Sequence, residues 1–166
     1  MSHVTPVLHM VCGKVASGKS TLCAELARAP SVLVITMDHW TSKLYRDELK
    51  TIDDLVRLLP RLRAAMGPHL VELLRAGFSV VLDWPANTVK SRAWMRGVFE
   101  AAGASHKLHL LNVPDEICLQ RLSARNTGGT HEYRVSQAEF EQLSRYFEPP
   151  TPAEGFDIVV HSWSLA

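Results

Sequence analysis

The chain has 166 residues, 18 Lys and Arg against 17 Asp and Glu, and 46% hydrophobic content, the proportions of an ordinary globular protein of about one domain. Three scattered cysteines, Cys12, Cys23 and Cys118, exclude a disulfide framework and a zinc ribbon and suit a reducing compartment as small apolar residues. The longest apolar runs, Ala29 to Met37 and Ala76 to Leu82, fall far short of the roughly 18 residues of a membrane span. A net charge of +1 provides no general attraction for a polyanion, and the first twelve residues lack the basic start and small-residue cleavage site of a signal peptide. A cytoplasmic location is expected.

Val7 to Cys12 is a short apolar run ending at Gly13, which predicts a buried strand. Lys19 to Arg28 places Leu22 and Leu26 on one helical face, and Pro30 closes that helix. Val32 to Thr36 is the second strand, with Asp38 just beyond its carboxyl end. From Thr51 to Ala76 seven large apolar residues recur at helical spacing, interrupted by Pro60 and Gly67-Pro68, so two helices or one kinked helix are expected. Val80 to Leu82 forms a third strand ending at Asp83, and Thr88 to Ala102 a helix ended by Gly103. Leu108 to Val113 is the fourth strand. Pro114, Asp115 and Glu116 then open a helix to about Arg125. After a glycine-bearing loop, Ser136 and Glu139 make a capping box for a helix reaching Glu148, and Phe156 to His161 is the last strand. Strands separated by helices imply a parallel sheet covered on both faces, an open α/β sandwich in one domain over residues 1–166.

Gly13-Lys14-Val15-Ala16-Ser17-Gly18-Lys19-Ser20 fits GxxxxGK[ST] in full, after a predicted strand and at the start of a predicted helix. Exposed N–H groups and the helix dipole bind phosphate at such a place. Lys19 is expected to reach the β- and γ-phosphates, the Ser20 hydroxyl to ligate magnesium, and Thr21 to stand beside the α-phosphate. Ligands in parallel sheets bind outside the carboxyl ends of the strands, where Asp38 and Asp83 stand. Asp83, after three apolar residues, is the second magnesium residue, and Asp38 the base that orients and deprotonates an acceptor hydroxyl; the two roles could be exchanged. Arg121 and Arg125 share one helix face and can clamp the transferring phosphoryl group, beside a lid over about residues 126–135 with Arg134 as a third contributor. Trp40 and Trp84 offer apolar walls for an acceptor, Asn87 and Arg92 polar ones, while His39, His106, His109 and His131 have no metal-site spacing.

With Gly13 to Thr21, Asp38, Leu82 to Thr88, Arg121 to Asn126 and Tyr146 to Pro150 taken as a set, the chain resembles the small P-loop kinases. Within them it is similar to the AAA-type ATP-binding kinases, with chloramphenicol phosphotransferase, zeta-toxin-like kinases and the polynucleotide 5′-kinase domain as neighbours. The resemblance covers nearly the whole chain. It implies a three-layer P-loop NTPase sandwich with a five-stranded parallel sheet of order 2-3-1-4-5, bound ATP and Mg2+, an acceptor hydroxyl near Asp38, and lid arginines matching Arg121 and Arg125. Many relatives carry Asp-x-x-Arg-Lys after strand two, whereas here His39, Trp40, Thr41 and Ser42 follow Asp38, with Lys43 and Arg46 slightly further on. The expected activity is γ-phosphoryl transfer from ATP to a hydroxyl of a small molecule. The alternatives are phosphorylation of a polynucleotide 5′-hydroxyl and a nucleotide-binding switch, or slow NTPase, acting on a protein partner.

Overall fold

The structure is a computed structural model and describes residues 4–129 and 134–163. Its elements are β1 (Val7–Cys12), α1 (Lys19–Leu26), β2 (Val32–Thr36), α2 (Met37–Leu44), α3 (Ile52–Arg75), β3 (Ser79–Pro85), α4 (Val89–Ala102), β4 (Ser105–Asn112), α5 (Asp115–Gly128), α6 (Gln137–Arg145) and β5 (Ile158–Ser162), with a short 3-10 turn at Pro152–Glu154. The five strands form one sheet of order β2-β3-β1-β4-β5. Every pairing is parallel, so each strand returns through a helical crossover.

Alternation along the strands divides the core between two faces. Leu8, Met10 and Cys12 of β1, Val80 and Leu82 of β3 and Leu108 of β4 pack with Leu62, Met66, Leu70 and Leu74 of α3 and Met95, Val98 and Phe99 of α4. On the other face Val11 and Val81 meet Cys23 and Leu22 of α1. A third cluster joins Cys118 and Leu122 of α5 to Phe140 of α6 and to Val15 and Ala16 of the loop after β1. This is the expected three-layer P-loop sandwich. The cysteines are buried and unbridged, and burial pushes the Cys12 thiol up to about 11 and Cys23 to about 12. Among the described residues no helix is long and apolar enough to cross a membrane.

Several boundaries differ from the sequence reading. The Thr51 to Ala76 region is one helix of 24 residues, opened by a Thr51–Asp54 capping box, with Pro60 and Pro68 inside it. Each proline removes a bond to the carbonyl four residues earlier. Val56 and Ala64, which carry those carbonyls, are exposed residues on the solvent side of the helix, where water can take the place of the lost donors, while the opposite face stays seated on the sheet. Helix α2 was not expected at all, and α6 ends at Arg145, short of Glu148. Of the lid expected over about residues 126–135, residues 126–128 end α5 and Gly129 caps it in the left-handed conformation. Residues 130–133, including His131, lie outside the described residues.

Buried polar groups fix the remaining connections. Arg92, fully buried, pairs with Glu154 at 2.8 Å and donates from Nη1 to the carbonyls of Ala86 (2.9 Å) and Glu148 (2.8 Å). It therefore staples the loop after β3 to the chain beyond α6 and is not an acceptor contact. His9, His109 and His161, on three adjacent strands, are linked at 3.0 and 2.9 Å. Burial, then the neighbouring His9 and His161, lowers His109 to about 4, so it is neutral near pH 7. His106 stacks on Phe99 and accepts from the Asp157 N–H. No group of three or more His, Cys, Asp or Glu side chains that could hold a metal ion occurs among the described residues.

Candidate active site

The loop Gly13 to Gly18 leaves the end of β1 and turns into α1, so its N–H groups gather at a helix N-terminus. Two glycines are required there for different reasons. A Cβ on Gly13 would stand 2.6 Å from Ser17 Oγ and 3.2 Å from the Leu111 carbonyl oxygen, and Gly18 has φ of 101°. Ser17 is 3% exposed, and its hydroxyl has no hydrogen-bond partner among the described residues.

Lys19 folds back over this loop, donating at 2.7 Å to the carbonyls of Gly13 and Lys14. Burial lowers its ammonium to about 8, against the opposing charge of Asp83. Ser20 donates its hydroxyl to Asp83 Oδ2 at 3.1 Å. The strand register explains how that carboxylate arrives there. Met10 faces Leu82 but the next residue, Val11, faces Pro85, so β3 bulges outward at Asp83 and Trp84. On its other side Asp83 is in register with Thr36, the N-cap of α2, which places Asp38 in the first turn of that helix. A negative side chain is favoured at such a position.

A cleft of about 1210 Å3 opens over this end of the sheet. It brings together Ser17, Gly18, Lys19, Ser20, Thr21, Asp38, Asp83, Arg121, Arg125 and Arg134, with Gly13 in the floor of the loop. Arg121 donates to the Ser17 carbonyl at 3.3 Å, and Arg125 holds a buried Nε with no partner among the described residues. Their helix is set against the loop by the Cys118, Leu122 and Val15 cluster. Trp84 lines the cleft, buried and stacked on Trp94 at 5.1 Å, whereas Trp40, Lys43 and Arg46 do not line it.

Sequence reasoning offered Asn87 only as one polar wall for an acceptor, and its amide clamps the loop after β1. Its Oδ1 accepts from Gly13 N–H at 2.9 Å and its Nδ2 donates to the Gly13 carbonyl at 2.8 Å. No local pattern announces this, because the β3 bulge alone brings the two segments level. In Asn87→Ala the Gly13 N–H is left without its partner. The expected cost is about 2 kcal/mol of stability, with nucleotide affinity weakened about tenfold as the loop loosens, read by urea unfolding and by nucleotide titration. Affinity and stability equal to wild type would remove Asn87 from the site.

Solved structures with this architecture are numerous. Chaetomium thermophilum Kti12, in complex with ADP-AlF3, is 18% identical with a TM-score of 0.71, covering 95% of this chain and 89% of that one. A sugar kinase from Janibacter sp. HTCC2649 is 18% identical with a TM-score of 0.66, covering 96% and 86%. The Mycobacterium tuberculosis APS kinase CysC, in complex with AMPPNP and APS, is 20% identical with a TM-score of 0.62, covering 95% and 88%. Likeness at this level of identity establishes the shared fold. No curated protein matches the chain by sequence. The AAA domain family matches residues 8–150, the whole span from the first strand to the double proline, and the chain belongs to it.

Proposed function

We propose that the protein is an ATP- and magnesium-dependent kinase that transfers the γ-phosphoryl group to a hydroxyl of a small molecule. The observation that carries this reading is one cleft lined by Lys19, by the Ser20–Asp83 contact and by Asp38. Family membership supports it, as does the fold shared with an APS kinase and a sugar kinase, and the ADP-AlF3 complex of Kti12 and the AMPPNP complex of the APS kinase support nucleotide binding.

In this reading the loop amides and Lys19 hold the β- and γ-phosphates in place. Ser20 and Asp83 are adjacent hard oxygen donors, the chemistry magnesium selects, and would hold that ion. When bound, magnesium neutralises charge on the β- and γ-phosphate oxygens. Asp38 accepts the proton of the acceptor hydroxyl as its oxygen bonds to the γ-phosphorus and the bond to the β-phosphate oxygen breaks, releasing ADP. Arg121 and Arg125 lower the energy of the negatively charged transition state.

The test is label transfer from γ-labelled ATP to a panel of hydroxyl compounds that includes a 5′-hydroxyl oligonucleotide. Product formation is expected with a small acceptor and is expected to stop when magnesium is removed with EDTA and return when it is restored. Tight nucleotide binding without product from any acceptor would overturn the kinase reading. Product from the oligonucleotide alone would overturn the small-molecule acceptor.

A further inference from the structure

A second set of groups in the same cleft belongs to neither the phosphates nor the metal. Arg63, from α3, lines the cleft near Leu55 and Leu59. Its Nη2 donates to Ser91 Oγ at 2.8 Å, and its guanidinium stands 5.5 Å from the centre of the Trp94 ring, which in turn stacks on Trp84. The Arg63 Nε is buried and has no hydrogen-bond partner among the described residues, and the same holds for the buried Trp84 indole N–H.

Among the described residues no carboxylate forms an ion pair with this charge. The ion pairs among the described residues involve Lys14, Arg57, Arg75, Arg92 and Arg96, and none involves Arg63. The contrast with Arg92 is informative, because the chain does pair a guanidinium where its role is structural: Arg92 is fully buried and meets Glu154. Burial lowers the Arg63 pKa with no acidic neighbour opposing it. Withdrawing a charge from water without a partner is unfavourable, and an arginine held against an aromatic ring with a donor edge unused is pre-organised for an oxyanion. The two basic residues nearest Asp38 in sequence, Lys43 and Arg46, leave this task open because neither lines the cleft.

We propose that the phosphoryl acceptor carries an oxyanion, a carboxylate or a phosphate, and that Arg63 binds it while the acceptor hydroxyl faces Asp38. The inference rests on the kinase reading for the hydroxyl and on Arg63 for the anion, so the two can fail separately. Stacking on Trp94 fixes the plane of the fork, and Ser91 occupies one of its donors and leaves the others for the ligand.

The experiment uses matched pairs that differ in the anionic group: gluconate with glucitol, glycerate with glycerol, and a nucleoside monophosphate with its nucleoside. Each is assayed for label transfer and, with ADP present, for direct binding by calorimetry. One anionic member is expected to exceed its neutral partner about 100-fold in kcat/KM, and the pair that succeeds tells carboxylate from phosphate. In Arg63→Met the KM for that acceptor is expected to rise about 30-fold or more with kcat changed only a few-fold, erasing the preference for the anionic member. Arg63→Lys is expected to recover part of the preference, and an unchanged melting temperature in either variant shows that the fold is intact.

Neutral acceptors used as well as anionic ones, or a preference that survives Arg63→Met, would overturn the proposal while leaving the kinase intact. If no compound is phosphorylated, binding decides: an anionic member that binds wild type and not Arg63→Met supports the anion site, and no binding by any anionic member overturns it.

Discussion

Replacing Asp38 with Asn is expected to lower kcat about 10³-fold while the dissociation constant for ATP stays within about twofold. Asn has the same shape, so the first turn of α2 and its contact with the cleft remain, but it cannot take a proton from the acceptor hydroxyl. On the kinase reading the nucleotide would be held by other residues, the loop after β1 and the Ser20–Asp83 pair, which is why binding and turnover are expected to separate. Single-turnover label transfer measures the chemical step, and equilibrium titration of ATP measures binding. Wild-type turnover in a well-folded Asp38→Asn protein would assign the base to another residue, with Asp83 the first to examine because it lies in register with the N-cap of α2.

Lys19→Ala is expected to reduce kcat/KM for ATP about 10²- to 10³-fold. Before nucleotide arrives, the ammonium is anchored by two carbonyls of its own loop, and burial has lowered it from 10.5 to about 8. Between pH 8 and 10.5 the unfolded chain therefore binds more protons at this position than the folded one. The unfavourable contribution is fully present below pH 8 and is relieved as pH rises towards 10.5, so stability from this group increases with pH over that window. Phosphate binding has the opposite preference and stabilises the charged form. At pH 8.5 ATP binding should take up part of a proton, visible as a dependence of the apparent enthalpy on the buffer used, and affinity should weaken as pH rises through 8. Lys19→Ala should abolish the proton uptake. Uptake that persists in this variant would place the titrating group elsewhere.

What the sequence disclosed follows how local each determinant is. The phosphate loop is legible because Gly13 to Ser20 are contiguous and fit one fixed spacing of Gly, Lys and Ser. The alternation of apolar runs with helical stripes fixes the layers, and the strand ends alone point to Asp38 and Asp83. Helix α2 escaped because its inward positions are Met37 and Thr41, and a polar residue at a buried site hides the apolar period. For α3 the sequence left two helices and one kinked helix open, because a proline has opposite consequences on a wet face and on a buried one, and exposure is not written in the residue itself. Arg63 sits in a leucine-rich helix and looks like any solvent-facing cation, since its aromatic partner comes from another element. Asn87 depends on a two-residue bulge that no composition rule indicates.

The clamp between Asn87 and Gly13 also bears on how such a chain diversifies. Asn87 grips the start of the phosphate loop, and Ser20, just past that loop's end, meets Asp83, four residues before Asn87 on the same stretch of chain. This side of the cleft is thus a closed frame built from β1, α1 and the exit of β3. Helices α2 and α3 are attached to it as a single excursion between Thr36 and Ser79. Substitutions within that excursion can reshape the wall facing the acceptor and leave the frame as it stands. On the kinase reading, a lineage could therefore acquire a new acceptor by drift in one segment while inheriting its handling of ATP unchanged.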